Sequence, residues 1–258
     1  MNRQAQAVVL LLLGGSVLKA SLTDVYLRYV KEGLRPFLIA AGAVLVVAAV
    51  MTLLHDLLRR PGVAGGAGGH DHGQAGGGDG DGDGPADDGH GHHEPRVGWL
   101  LILPALGLLL LSPPALGSYA AGQSGTVLAN QEVEIYPPLP AGDPVQIGLL
   151  DYAGRAIFDE GDTLRDRRVQ LTGFIAPGPN GEPILARMML SCCAADGRPI
   201  KLGMSGDVPA GLPPDSWVEV IGRYTTQLGK DPVNEVEIPY VQVESWQRID
   251  PPKQPYEQ

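Results

Sequence analysis

The sequence predicts a chain in two parts, an α-helical membrane region followed by an all-β domain. Two observations support this division. The first 116 residues contain three long apolar runs and a tract of glycine, aspartate and histidine. In the remainder, five short β-rich segments alternate with turn residues. About 20 apolar residues span a bilayer as a helix, whereas short alternating segments are typical of strands.

The first apolar run allows two interpretations. Its continuous part, residues 5–18, is shorter than the roughly 20 residues that a membrane helix needs. A secretory signal peptide has such a short core, but Lys19 occupies the position where small cleavage-site residues belong. In a membrane helix of about residues 5–27, the Lys19 side chain would extend to the membrane surface or pack against Asp24 inside a bundle. A second apolar run follows closely and favours the membrane helix.

The second apolar run is the strongest indication of a membrane helix. It covers residues 36–54, starts with Pro36, which suits the first turn of a helix, and contains no charged residue. Arg59 and Arg60 follow it. Residues 1–61 are therefore predicted to hold two transmembrane helices.

A low-complexity linker, residues 62–96, follows these helices. Up to residue 95 it has 14 glycines, seven acidic residues and no lysine or arginine, so it buries too little apolar surface to fold alone. Five of the six histidines lie here, and imidazole with carboxylate suits zinc, nickel or copper. The linker either captures metal or is a solvated acidic spacer. Its candidate metal ligands are His70, His72, His90, His92 and His93.

A third apolar run, residues 97–116, predicts a third transmembrane helix, with Trp99 at an interface-like position. Lysine and arginine are absent from residues 101–154, which indicates that the chain after this helix is translocated. We therefore predict a multi-pass protein of the cell membrane, in contact with the lipid bilayer, whose C-terminal domain is extracytoplasmic. Three basic residues on the side of that domain count against this orientation: Arg28, Lys31 and Arg35.

The β domain is predicted to occupy residues 146–258, after an extended spacer rich in glycine and proline at residues 117–145. One short helix is expected within residues 147–158. Five short strands separated by turns favour a small closed barrel, and the five-stranded OB barrel is the commonest such fold. The predicted strands are residues 168–175, 184–190, 199–204, 217–224 and 236–243.

The charge of the chain argues against nucleic acid as a partner. The net charge is −10, and residues 117–258 carry 19 acidic against 11 basic side chains, whereas nucleic-acid binding depends on lysine and arginine.

The β domain has no histidine, which excludes a Ser-His or Cys-His hydrolase confined to it. The sequence also lacks G-x-x-x-x-G-K-[ST], H-E-x-x-H and G-x-S-x-G. We predict no enzymatic activity.

Both cysteines of the protein, Cys192 and Cys193, are adjacent, and strand alternation would send their side chains to opposite faces. Three interpretations remain open. In one, one cysteine is a small buried side chain of the core and the other has no role. Another is a thiolate metal site with Asp196 and ligands from a partner, since two thiolates alone leave zinc or copper short of ligands. The third is a strained vicinal disulfide.

Three stretches of the β domain carry a family resemblance: L-T-G-F-I, A-R-M-M-L-S-C-C-A-A-D and W-V-E-V-I-G-R. With the N-terminal apolar runs, the chain resembles a family of uncharacterised bacterial membrane proteins described as accessory subunits of a two-component permease. The resemblance covers nearly the whole chain and is most specific at residues 191–196. It implies a many-helix permease partner, and it implies no substrate and no catalytic residues.

Two functions follow as hypotheses. In the first, the protein is an accessory subunit of a permease that handles a divalent metal, with zinc the best candidate, through the histidine-rich loop and the cysteine-containing barrel. In the second, it is a self-contained metal-binding or thiol-redox protein of the cell envelope, without a permease partner. No cofactor is implied beyond zinc or another divalent transition metal.

Overall fold

The structure is a computed structural model that describes residues 3–58, 107, 113–128, 136–179 and 181–257. The chain divides into two compact units. The first comprises residues 1–18 and 40–112, and the second comprises residues 19–39 and 113–258. The predicted third membrane helix falls almost wholly outside the described residues.

Two α-helices form the N-terminal region, α1 (Arg3–Leu22) and α2 (Arg35–Leu58). α1 ends earlier than the predicted residue 27, because a short 3₁₀ helix (Asp24–Arg28) with buried Tyr26 and Leu27 takes its place. Among the described residues, one helical segment, Glu32–His55, is long and apolar enough to cross a membrane. The apolar part of α1 is shorter, so the multi-pass arrangement stays a prediction.

α1 and α2 pack closely against each other at two glycines, Gly14 and Gly42. A Cβ atom on Gly14 would lie 2.9 Å from the Cβ of Leu45 and 3.1 Å from the carbonyl oxygen of Gly42. A Cβ on Gly42 would lie 2.8 Å from the Cγ of Leu18. Small residues at a helix crossing let the backbones come together, which is the usual way in which apolar helices associate in membranes.

A methyl group at this crossing is expected to weaken the helix pair. Gly14→Ala should cost about 1–3 kcal/mol by overpacking against Leu45. Gly15→Ala is the matched control, because a Cβ there meets no described atom within 4 Å, and it should be neutral or stabilising by up to about 1 kcal/mol. Thermal unfolding of both variants in mild detergent, followed by circular dichroism, measures the difference. Equal midpoints would contradict the close packing.

The C-terminal domain contains a closed barrel of five strands, which confirms the predicted fold class. The strands of the sheet are β1 (Val145–Gln146), β2 (Arg168–Pro177), β3 (Pro183–Met189), β4 (Arg198–Gly206), β5 (Trp217–Lys230), β6 (Glu237–Arg248) and β7 (Tyr256–Glu257). The barrel runs in the order β2-β5-β6-β4-β3 and closes by pairing β3 with β2. β4 and β6 are parallel and the other barrel pairs are antiparallel, the arrangement of an OB barrel.

Alternation along β2 separates the barrel interior from an outer apolar layer. Val169, Leu171 and Ile175 pack in the interior cluster. Phe174 and Ala176 belong to a second cluster. Helix α4 (Leu149–Phe158), the short helix expected from the sequence, packs its apolar face against β2, β4 and β6. Tyr152 of this helix is fully buried and donates a hydrogen bond to the carbonyl oxygen of Tyr240 on β6, at 2.7 Å.

The segment expected to be an extended spacer is partly folded onto the barrel. Residues Ser118–Gln123 form helix α3, which contacts β2 and β3 and buries Ala121 fully in the outer cluster. Thr126 is also buried, and Val127 donates its N–H to the carbonyl oxygen of Pro199 at 2.8 Å. The prediction of a spacer over 117–145 is therefore wrong for its first part, which belongs to the domain.

A buried ion pair fixes this segment to the barrel. The Lys201 Nζ of β4 lies 2.8 Å from the Asp231 Oδ2, and the two side chains are 4% and 0% exposed. The Asp231 carboxylate also accepts the backbone N–H of Thr126 at 2.7 Å and that of Val233 at 2.8 Å. The Lys201 ammonium also donates to the carbonyl oxygen of Ser124 at 2.8 Å. The pair thus joins β4, the β5–β6 loop and the chain that enters the domain.

Candidate functional site

The two cysteines lie in the loop between β3 and β4, not within a strand. β3 ends at Met189, and a single 3₁₀ turn, Ala194–Asp196, precedes β4. The expectation that strand alternation separates the two side chains is therefore wrong. The two sulfur atoms and a carboxylate oxygen of Asp196 lie within 4.8 Å of one another. We call Cys192, Cys193 and Asp196 the thiol–carboxylate cluster.

Asp196 organises the loop around its carboxylate. Its Oδ1 accepts the backbone N–H of Ser191 at 2.8 Å, and its Oδ2 accepts that of Cys192 at 2.8 Å and that of Cys193 at 3.3 Å. In return, the backbone N–H of Asp196 donates to the carbonyl oxygen of Cys193 at 3.0 Å. These local bonds fold the chain back on itself and bring both thiols to the carboxylate.

The Cys192 thiol and the Asp196 carboxylate shift each other's proton affinity. A hydrogen bond to Asp196, with a second one to Cys193, raises the pKa of Cys192 to about 11. Hydrogen bonds from the Cys192 side chain and backbone lower the pKa of Asp196 to about 2. At neutral pH the carboxylate is ionised and Cys192 is a protonated thiol. Both cysteines are free; Cys192 is exposed and Cys193 is partly exposed.

Removing the Asp196 charge is expected to make Cys192 more reactive in the metal-free protein. The thiolate is the nucleophile, so a pKa that falls towards its ordinary value increases the reactive fraction. In a Cys193→Ser background, Asp196→Asn should speed alkylation of Cys192 by iodoacetamide at pH 8 about tenfold. The rate is read by mass spectrometry, with Asp207→Asn as the control for a lost surface charge. A rate unchanged by Asp196→Asn would contradict the thiol–carboxylate hydrogen bond.

A short segment between the two N-terminal helices pairs with this loop. We call residues 23–34 the connector. Val30 and Cys193 form an antiparallel bridge. Lys31 donates its N–H to the carbonyl oxygen of Cys192 at 3.1 Å. Ala194 donates its N–H to the carbonyl oxygen of Tyr29 at 2.7 Å. The backbone on both sides of the two thiols is therefore held by the connector.

The C-terminal segment holds the connector as well. The Tyr256 hydroxyl donates to the carbonyl oxygen of Arg28 at 2.7 Å, and the Gln254 side chain donates to the Glu32 carboxylate. Sequence reasoning missed the connector, because pairing between segments so far apart in the chain leaves no local pattern.

The predicted ligands divide into two groups. Cys192, Cys193 and Asp196 come together. Within the described parts of the chain, they form the group of at least three His, Cys, Asp or Glu side chains that could hold a metal ion. The remaining candidates lie outside the described residues, and their role stays a prediction. These are His70, His72, His90, His92 and His93.

Comparison with known proteins identifies one domain. No curated protein and no solved structure matches the chain. Residues 153–257 match the model of an uncharacterised family, the DUF1980 C-terminal domain. The match begins inside α4 and includes all five barrel strands and the thiol–carboxylate cluster. Residues 153–257, which form the closed five-stranded barrel and the end of α4, are therefore similar to the DUF1980 C-terminal domain.

Proposed function

We propose that the protein is a non-enzymatic membrane subunit whose barrel binds a divalent transition metal, zinc above all, for a permease partner. The observation that carries this proposal is the thiol–carboxylate cluster. Two sulfur atoms and one carboxylate oxygen converge on an exposed loop, and their convergence is built by three backbone hydrogen bonds to Asp196.

The donor set of the cluster suits zinc. Cysteine sulfur and aspartate oxygen are both common zinc ligands, and thiolates favour zinc over calcium or magnesium. Two zinc–sulfur bonds of about 2.3 Å require sulfur atoms no more than about 4.6 Å apart. The two sulfur atoms of the loop lie within 4.8 Å of each other. The thiols would lose their protons on binding, so affinity should rise with pH. Three ligands leave a position open for water or for a ligand from a partner.

The connector links the thiol–carboxylate cluster to α1 and α2 through the backbone. It follows α1 and precedes α2, and its backbone bonds directly to the carbonyl oxygen of Cys192 and the N–H of Ala194. A metal ion that draws the Cys192 and Cys193 side chains together would also shift the peptide groups of Cys192 and Ala194, which bond to the connector. Metal binding would thus change the position of the connector, as allosteric coupling through a shared element requires.

The permease partner and the extracytoplasmic position of the barrel complete the proposal. The partner rests on the family resemblance, which is most specific at residues 191–196. An accessory subunit would use the barrel to deliver metal to the partner or to regulate it. The connector and the barrel belong to one compact unit, which supports a common side of the membrane for both.

Zinc binding to the full-length protein tests the metal assignment. The five linker histidines are first replaced by asparagine, so that the cluster is measured alone. Competition with a chromophoric chelator at pH 7.5 should then detect one zinc ion per chain. Cys192→Ser/Cys193→Ser should weaken binding at least about 100-fold, a loss of about 2.7 kcal/mol. Ser191→Ala, in the same loop, should leave the affinity unchanged.

Two outcomes of this titration separate the alternatives. Unchanged affinity in the double cysteine variant would reject the cluster as a metal site. Metal binding that disappears only with the linker histidines would assign the metal to the linker.

Affinity purification from mildly solubilised native membranes tests the partner. We expect a many-helix membrane protein to co-purify in roughly equal amount with the tagged chain. Absence of such a protein, with zinc binding intact, would favour the self-contained envelope protein.

A further inference from the structure

The second unit contains a large apolar groove that the metal site does not use. Its volume is 880 Å³, within the range of small-molecule sites. Its apolar lining includes Leu116, Trp217 and five prolines; the prolines are Pro113, Pro114, Pro251, Pro252 and Pro255. Tyr119, which is 81% exposed, also lines it.

Charged side chains of both signs line the same groove. Arg28 and Lys253 are exposed, and neither side chain has an ion pair or hydrogen bond within the described residues. Asp24 and Asp215 face the groove as well. One oxygen of Asp215 accepts the N–H of Ser118 at 2.6 Å. A ligand that fits must combine an apolar body with a head that carries a negative and a positive charge.

The position of the groove along the chain favours a membrane lipid. Asp24 is the second residue after α1, and Pro113 lies at the end of the third apolar run. In a membrane-inserted protein, residues so close to the ends of apolar segments lie at the bilayer surface. An exposed tyrosine is also typical of that level, where its ring contacts acyl chains and its hydroxyl contacts water.

We propose that this groove binds a bilayer phospholipid with an ammonium headgroup, of the phosphatidylethanolamine class. Arg28 and Lys253 hold the phosphate, and Asp24 and Asp215 receive the ammonium group. The acyl chains lie along Leu116, Trp217 and the prolines. Because the lipid site and the thiol–carboxylate cluster share no residues, lipid binding can be tested independently of metal binding.

Native mass spectrometry of the full-length protein in mild detergent tests the assignment. Phosphatidylethanolamine is titrated in, and we expect one retained lipid per chain. Arg28→Gln/Lys253→Gln should weaken its retention at least about tenfold, a change of about 1.4 kcal/mol. Arg165→Gln/Lys230→Gln removes the same charge from exposed positions outside the groove and should have no effect. Circular dichroism confirms that all variants are folded.

Three results would overturn the proposal. The first is equal lipid retention by the groove variant and the wild type. The second is an equal loss in the control variant, which would indicate a net-charge effect. The third is equal retention of phosphatidylglycerol, which would remove the role of the two carboxylates. Glycerophosphoethanolamine, which has the headgroup without acyl chains, should not displace the lipid, and displacement by it would reject the apolar part of the site.

Discussion

Replacing Asp231 by alanine is expected to destabilise the barrel domain by about 3–5 kcal/mol. The substitution removes the partner of Lys201, whose ammonium group is almost completely buried, and leaves that charge with one neutral acceptor, the carbonyl oxygen of Ser124. It also deprives the N–H groups of Thr126 and Val233 of their acceptor. Breaking one side of a buried pair costs far more than the pair contributes, because the remaining charge stays desolvated.

A surface ion pair of the same length provides the control. Arg165 Nη2 lies 2.8 Å from Asp162 Oδ1, but the two side chains are 64% and 66% exposed. Arg165→Gln should therefore cost less than about 1 kcal/mol. Thermal unfolding of the full-length Asp231→Ala and Arg165→Gln variants, both in mild detergent, compares the two losses of stability. If Asp231→Ala were as mild as Arg165→Gln, water would have to reach Lys201, and the pair would not be a buried one.

The second large effect is expected at Tyr152, the side chain that anchors α4 to the barrel. Tyr152→Ala should destabilise the domain by about 3–5 kcal/mol, because it leaves a cavity where a fully buried aromatic ring packed. Burial raises the pKa of Tyr152 far above its usual range, so its hydroxyl remains a hydrogen-bond donor throughout the pH range in which the protein can be studied. Chemical denaturation monitored by circular dichroism measures the loss.

Tyr152→Phe separates packing from hydrogen bonding. It keeps the ring and removes only the bond to the carbonyl oxygen of Tyr240, so it should cost about 1 kcal/mol. Equal losses in the two variants would mean that the hydrogen bond, not the ring, holds α4. A small loss in both would mean that the barrel end repacks around the gap.

Much of the barrel could be predicted from sequence because turn residues mark its strand ends. Each of the five predicted strands overlaps an observed one, and α4 falls within the predicted 147–158. Strand ends were less accurate. β5 continues to Lys230, beyond the predicted residue 224, because its second half pairs with β6 after a register shift. No local pattern in the sequence signals such a shift.

The missed features depend on contacts between distant residues. Helix α3 has only six residues and no side-chain cap, so its sequence resembles the surrounding glycine-rich chain. Lys201 and Asp231 each look like an ordinary surface charge until the fold pairs them. The apolar residues Met188, Met189 and Leu190 end two residues before Cys192, which made a loop resemble the end of a strand.

The residues of the thiol–carboxylate cluster were predictable, but their arrangement was not. Cysteine and aspartate are the obvious ligand types in the domain, and Asp196 is the fourth residue after Cys192 along the chain. What gathers them is a set of backbone N–H groups that point at one carboxylate. Side-chain identity suggested the donor set, whereas the bends of the main chain determine whether the donors meet.

The pairing of the connector with the barrel also imposes an order on biosynthesis. Arg28 leaves the ribosome 228 residues before Tyr256, its hydrogen-bond partner. At about 5–20 residues per second, roughly ten seconds or more pass between the two. During that interval Leu27, which lies beside Leu190 and Tyr256 in the finished protein, has no C-terminal domain next to it. The connector can therefore dock onto the C-terminal segment only after β7 has been made.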